Sequence, residues 1–135
     1  MEDGNSEKTM FDLLVVEDDP ATVFLLREIL KDAKHRHTLH VVENGLEALD
    51  FLHRRGRYAG APRPNLILLD LNMPKMDGLQ VLSHIKADPH LLTIPVIVLS
   101  CSSHTEDVRK AYEAHANCYV QKPPDLERSF LLVQA

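Results

Sequence analysis

No apolar run in the 135 residues is long enough to span a bilayer, which takes about 20 consecutive apolar residues. The N-terminal MEDGNSEKTM is acidic and polar, unlike a secretory signal. The expected location is therefore cytoplasmic, with no membrane partner. Cysteine is nearly absent: Cys101 and Cys118 are too few for a disulfide framework and lack zinc-ligand spacing. They read as reduced, buried small hydrophobes. Positive charge is in deficit too. The net charge of −5 advertises no basic face, so nucleic acid is not an expected partner. The eight histidines (His35, His37, His40, His53, His84, His90, His104 and His115) add positive charge only at lower pH or where their surroundings favour the proton. They fall mainly in helices or loops without mutual metal spacing and read as solvated.

What is present is an ordinary globular composition, 44% hydrophobic and 26% charged, in a chain long enough for one domain with a real core. Neither internal repeats nor low-complexity tracts stand out. Residues 1–10 read as a loose leader and residues 11–135 as a single folded domain. Phe11 to Val16 is apolar apart from Asp12 and runs into Glu17-Asp18-Asp19-Pro20, a strand followed by a helix start. Asp19 and Pro20 suit the N-cap and first helical position. Val23, Leu26, Leu30 and Ala33 then share one face of a helix. Thr38 to Val42 reads as a second strand. Asn44-Gly45 opens a second helix to about Arg54, with Leu46, Leu49 and Leu52 towards the core. Arg55 to Pro64 (RGRYAGAPRP) is a Gly/Pro/Arg loop. Leu66 to Leu69 is a short fully apolar run, as a strand covered on both faces requires, and Asp70 ends it. A third helix spans about Leu79 to Ala87 with Leu82 and Ile85 inward. Ile94 to Leu99 is a fourth strand interrupted by Pro95, Glu106 to His115 a fourth helix, and Cys118 to Val120 a last strand. Leu126, Phe130 and Val133 mark a fifth helix that reaches the last residue and can be read as truncated there.

Strand–helix alternation repeated five times implies a doubly wound α/β fold, a parallel sheet with helices on both faces. Ligands in such sheets bind beyond the carboxyl ends of the strands. Glu17 and Asp18, Asp70, Ser100 and Lys122 all fall at or just after such ends. Each has an ordinary reading alone. Asp70 suits a turn, Glu17 and Asp18 suit the first turn of a helix, Ser100 is a strand-end hydroxyl, and lysines are usually solvated. Their coincidence at four strand ends favours chemistry instead. Three crowded carboxylates disfavour their ionised forms without a cation. Oxygen-only ligands suit Mg²⁺. Asp carboxylates act as covalent phosphoryl acceptors, and a lysine with Mg²⁺ stabilises the transferring phosphoryl oxygens. Ser100 can donate its hydroxyl to one of those oxygens. Asp19 is assigned to helix capping alone.

The motifs VVEDDP (15–20), LLDLNMPKMDG (68–78), PVIVLS (95–100) and YVQKP (119–123) resemble, in the same order, those of the receiver domain of two-component response regulators. The resemblance runs from Phe11 onward. It implies a five-stranded flavodoxin-like (βα)5 fold with strand order 2-1-3-4-5. It implies that Asp70 is the phosphorylated aspartate. Glu17, Asp18 and Asp70 would hold Mg²⁺ (Mn²⁺ or Ca²⁺ substituting) with the backbone carbonyl of Asn72. Ser100 and Tyr119 match the hydroxyl and aromatic switch positions, Lys122 the phosphate-facing lysine, and Lys122-Pro123 a peptide bond that is usually cis in the family. Three departures stand out. Glu17 takes a place where some members have Asp, Cys101 is larger than the Ala or Gly often found there, and Pro124 stiffens the start of the last helix. Within the family the chain resembles the small stand-alone regulators paired with phytochrome-type sensor kinases.

The expected function is therefore a phosphorylation-controlled switch. A sensor histidine kinase donates to Asp70, and Ser100 and Tyr119 shift the surface formed by the fourth helix, fifth strand and fifth helix. The only catalysis expected is of its own phosphorylation and dephosphorylation. Output passes to another protein or to a homodimer through the last helix, where Leu126, Phe130, Leu131 and Val133 are more apolar than one packed face requires. A helix packed wholly on its own sheet suits the same pattern equally. A phosphatase of the haloacid-dehalogenase type would share the aspartyl phosphate, Mg²⁺ and lysine. There, however, the nucleophile follows the first strand in a DxD arrangement, whereas Asp70 follows the third and is paired with Asn72. A scaffold of the same fold that is never phosphorylated is disfavoured because none of the five chemical positions is apolar.

Overall fold

A computed structural model describes residues 11–31, 37–71, 76–100 and 105–122. In chain order the elements are β1 (Phe11–Val16), α1 (Pro20–Leu30), β2 (His37–Val42), α2 (Gly45–Leu52), β3 (Leu66–Asp70), α3 (Gly78–Ala87), β4 (Val96–Ser100), α4 (Thr105–Glu113) and β5 (Cys118–Gln121). All strand pairs are parallel, and the sheet runs β2-β1-β3-β4-β5. This is the doubly wound fold and strand order expected. The chain steps outward from β1 to β2, then crosses back to β3 and continues to β5. The switch point therefore lies between β1 and β3.

The central strands β1, β3 and β4 are covered on both faces, and the period-2 alternation of side chains divides the core in two. Leu14 and Val16, Ile67 and Leu69, and Val96 and Val98 pack with Ala48, Leu49 and Phe51 of α2 and Val81, Leu82 and Ile85 of α3. Leu13, Val15, Leu68 and Leu99 form the opposite, smaller layer with Leu26 and Leu30 of α1. Full burial of a side chain such as Leu69 stabilises by about 1.5–3 kcal/mol. Asp70 is thus anchored by a strand whose preceding residues are locked on both sides.

Helix starts follow the local chemistry. Asp19 caps α1 by accepting from the Ala21 amide at 3.1 Å and from the Thr22 hydroxyl at 3.0 Å, with Pro20 at the first helical position. Asn44 caps α2 by accepting from the Glu47 amide at 2.9 Å. Asp77 and Gln80 form a reciprocal capping box on α3, two bonds of 3.0 Å each.

Several details differ from the sequence reading. Leu46 is 50% exposed, whereas Ala48, Leu49 and Phe51 are buried. Gly45 sets the phase of this helix. It lies so close to the next helix that a Cβ there would come within 2.7 Å of Val81 Cγ2. Residues 45, 48, 49 and 52 consequently face inward and residue 46 turns outward. α2 ends at Leu52 because Arg54 takes φ 56°. The Arg54 amide donates to Phe51 O at 3.2 Å and the Arg55 amide to Asp50 O at 2.9 Å. That is a Schellman ending with arginine where glycine is usual. His115 closes α4 in the same way, at φ 71°. The loop before β3 contains a short 3₁₀ turn, Gly56–Tyr58. β4 begins after Pro95, which has no N–H to give but whose carbonyl accepts from the Ile67 amide at 3.0 Å. Cys118 carries a free thiol and is only half-buried. The leader, Ala33, Asn72, Cys101, Pro123, Pro124 and the expected fifth helix lie outside the described residues. Among the described residues, no helix is long and apolar enough to cross a membrane.

Candidate functional site

Four strand ends deliver polar side chains into the interior at one edge of the sheet. Glu17 follows β1 and is 1% exposed. Asp70 ends β3 at 3%, Ser100 ends β4 at 1%, and Lys122 follows β5 at 7%. The Glu17 amide donates to Val42 O of β2 at 2.9 Å, fixing the backbone beyond β1. The Glu17 side chain is steered by the Asp19 amide, which donates to its Oε2 at 3.2 Å. Asp19 therefore serves twice, its side chain capping α1 and its backbone orienting Glu17. The Lys122 amide donates to Ser100 O at 2.7 Å, which carries the β4–β5 ladder one residue past Gln121.

Lys122 closes the cluster. Its Nζ lies 2.7 Å from Glu17 Oε1 and 3.5 Å from Asp70 Oδ1, inside the protein. Asp18 is exposed, yet Glu17, Asp18 and Asp70 each bring a carboxylate oxygen within 4.8 Å of the others. One ammonium pairs with two of these three clustered carboxylates, Glu17 and Asp70. The electrostatic consequence falls on Glu17, whose carboxyl is pushed up to about 7. Burial is the main cause, and the charge of Asp70 adds to it. The hydrogen bond from Lys122, and to a smaller extent its charge, pull the other way. A surplus of negative charge held on hard oxygen donors, one of them open to solvent, fits a small divalent cation.

Backbone approach shapes the same edge. Gly78, at the start of α3, donates its amide to Leu71 O at 3.1 Å. A Cβ at Gly78 would meet the Asp70 carbonyl oxygen and stand 2.6 Å from Leu71 Cα. The start of α3 is thereby tied to the end of β3. Tyr119 lies on β5 opposite Val98, half-buried and packed against the larger core layer.

Glu17, Asp18, Asp70 and Lys122 are thus brought together, with Ser100 joined to them through the Lys122 backbone. Tyr119 sits on β5, three residues before Lys122, and Asn72 and Pro123 are outside the described residues. Sequence reasoning missed the Asp19 amide and the Gly78 contact. The signal for Gly78 was its place directly after a helix-capping Asp. It also read every histidine as solvated, which holds for His84, His90 and His115 but not for half-buried His40 and His53. Instead His40 Nε2 pairs with Asp12 Oδ1 at 3.0 Å beside the Phe51 ring, and His53 Nε2 meets His84 Nε2 at 3.0 Å.

A five-stranded parallel sheet of this order, with acids and a lysine converging at its carboxyl edge, defines a class. The chain belongs to the response regulator receiver domain family, which it matches over residues 13–134. Among individual proteins it is 48% identical over 122 residues to the response regulator Rcp1 of Synechocystis sp., covering 90% of this chain and 83% of that one. The crystal structure of the Mn²⁺-bound form of Rcp1 superposes with a TM-score of 0.83 at 47% identity, over 92% of this chain and 89% of that one. That of the phosphorylated cyanobacterial phytochrome response regulator RcpA also gives 0.83, at 43% identity over 93% and 89%.

Proposed function

We propose that the chain is a stand-alone phosphoacceptor regulator in which Asp70 receives a phosphoryl group from the phosphohistidine of a sensor kinase. The observation that carries this reading is the buried Lys122 ammonium, 2.7 Å from Glu17 Oε1 and 3.5 Å from Asp70 Oδ1. An Asp70 oxygen attacks phosphorus, the P–N bond to the imidazole breaks, and the imidazole nitrogen keeps the electron pair and takes up a proton. Lys122 is placed to follow the phosphoryl oxygens, and the Ser100 hydroxyl to donate to one of them. Glu17 and Asp18, with Asp70, would hold a divalent cation, Mg²⁺ with Mn²⁺ or Ca²⁺ as substitutes, which neutralises charge on the transferring group. The Asn72 carbonyl is assigned to the same ion.

Phosphorylation then biases a two-state surface of α4, β5 and the last helix through Ser100 and Tyr119, the phosphoryl group acting only by its differential contacts in the two states. Catalysis is confined to the domain's own phosphorylation and dephosphorylation. The likeness to Rcp1 and RcpA supports a phytochrome-type histidine kinase as donor, and so a cytoplasmic place in light signalling. The apolar residues Leu126, Phe130, Leu131 and Val133 support a homodimer through the last helix as one output.

The test is incubation with Mg²⁺ and acetyl phosphate, followed by intact-mass measurement and gel-filtration light scattering. One phosphoryl group is expected on the wild type and none on Asp70→Asn. Beryllofluoride is expected to shift the oligomeric state. An unmodified Asp70 in a folded, Mg²⁺-loaded chain overturns the reading.

A further inference from the structure

We propose that His53, His84 and Asp88 form a second metal site, for a borderline transition cation of the Zn²⁺ class, at the opposite edge of the sheet from Glu17 and Asp70. His53 is the C-cap of α2, His84 lies in the last turn of α3, and Asp88 is the C-cap of α3. Helices antiparallel to the strands end at the strands' amino edge. Arg63 and Pro64, just ahead of β3, accordingly line an open cleft of about 310 Å³ together with His53 and Asp88.

The geometry is that of a ligand set. His53 Nε2 and His84 Nε2 are 3.0 Å apart, and a carboxylate oxygen of Asp88 lies within 4.8 Å of both. Two imidazole nitrogens bound tetrahedrally to Zn²⁺ at about 2.0–2.1 Å stand about 3.3 Å from each other. A shift of a few tenths of an ångström therefore replaces the proton shared by the two rings with a metal ion. In the neutral pair that proton moves to Nδ1 of the ring that carried it, so both imidazoles ligate through Nε2 as neutral donors. Each donor is already oriented. The Schellman ending at Arg54 fixes the backbone around His53. The Asp88 carboxylate accepts from the His90 amide at 2.7 Å, which holds its carboxylate plane. The rings of His53 and His84 meet edge to face, with centroids 5.2 Å apart.

Charge is balanced closely. The carboxyl ends of α2 and α3 converge here, and the carbonyl-rich ends of helices favour cations. Arg54 and Arg63 line the cleft and oppose a cation. The Arg63 guanidinium, however, is held by the His90 carbonyl and by Thr93 Oγ1, the latter at 3.0 Å. Imidazole donors select Zn²⁺, Co²⁺ or Ni²⁺ over Mg²⁺, so the two edges of the sheet would take different ions. The ion would clamp the end of α2 to the end of α3 and stabilise the native state by mass action.

The full chain, freed of metal and then given excess Mg²⁺ to fill the oxygen site, is titrated with ZnCl₂ by calorimetry and with CoCl₂ by visible absorption. One equivalent of Zn²⁺ is expected, with a Co²⁺ spectrum free of thiolate charge-transfer bands, which excludes Cys101 and Cys118 as the ligands. His53→Ala and His84→Gln are each expected to weaken binding at least tenfold, whereas His90→Gln keeps it. His84 is exposed, so His84→Gln reads the site without disturbing the core. The proposal is overturned by no Zn²⁺ uptake in excess Mg²⁺, by a thiolate spectrum, or by affinity unchanged in both His53→Ala and His84→Gln. A loss in His90→Gln equal to theirs overturns it as well.

Discussion

The two edges of the sheet hold polar clusters of opposite character. At the carboxyl edge, Glu17, Asp70, Ser100 and Lys122 are almost wholly buried. At the amino edge, His53, His84 and Asp88 are half-buried or exposed. Strand ends sit within the core, so whatever a strand delivers last is desolvated and must be paired. Helix ends project into solvent, and groups there interact without that cost. The first cluster is therefore coupled to folding and the second is separable from it.

Removing Lys122 tests this most severely. Lys122→Ala leaves Glu17 and Asp70 facing each other without a counter-charge. Deleting one partner of a buried ion pair costs about 3–5 kcal/mol. Urea unfolding in chelator should show a loss of that size, and Mg²⁺ should restore part of it because the ion supplies the missing positive charge. His84→Gln should move the same curve by less than about 1 kcal/mol, as surface substitutions do. Equal losses would erase the distinction between the edges.

A second contrast is in pH. The Glu17 carboxyl, raised from 4.5 to about 7 chiefly by burial, holds its proton more tightly folded than unfolded. The stability it contributes is complete below about pH 4.5 and is lost as the pH rises through about 7. Metal-free protein should thus lose stability between those values. Saturating Mg²⁺ should flatten the slope, because the ion competes with that proton. Chemical denaturation across this range, with and without Mg²⁺, reads it. A metal-free curve that rises through the same window would contradict the placement of Glu17.

The unequal legibility of the two edges has the same origin. In a parallel sheet, chain order alone fixes where strand ends lie, so an apolar run such as Leu66–Leu69 followed by Asp70 announces both burial and location. Glu17, Ser100 and Lys122 were readable by the same logic. His53 and His84 are 31 residues apart and meet only because α2 stops at Leu52 and α3 runs to Ala87. Sequence pattern ended α3 at Ala87, as found, but ran α2 on to about Arg54, because Arg54 in the left-handed region is no sequence signal at all. Leu46 shows the same limit. An apolar stripe gives a helix its period, but the contact at Gly45 gives it its phase.

Gly78→Ala probes how closely the start of α3 is packed on the end of β3. The new Cβ would stand 2.6 Å from Leu71 Cα, a backbone atom that cannot turn aside. Overpacking of this kind costs about 1–3 kcal/mol. The strain falls on the residues next to the proposed phosphoacceptor, so phosphorylation by acetyl phosphate should slow as well. Gly45→Ala meets Met76 O at 2.5 Å and Val81 Cγ2 at 2.7 Å but neither Asp70 nor Leu71, and should lower stability with a smaller effect on that rate. Equal slowing in both variants would argue for a general loss of order rather than a local one.

The smallest expected effect has the opposite sign. Arg54 holds φ 56° to end α2, a conformation that strains any residue with a Cβ. Glycine removes that strain but gives the unfolded chain more freedom. Arg54→Gly should therefore stabilise by about 0.5–1 kcal/mol, read as a higher urea midpoint at unchanged slope. It also deletes one of the two guanidinium groups beside His53 while keeping the helix ending that positions it. If the amino edge binds Zn²⁺ as proposed, this variant should bind it more tightly than the wild type, and phosphorylation at the far edge should be unchanged. A gain in stability with weaker Zn²⁺ binding would mean that Arg54 supports the cleft rather than opposing the ion.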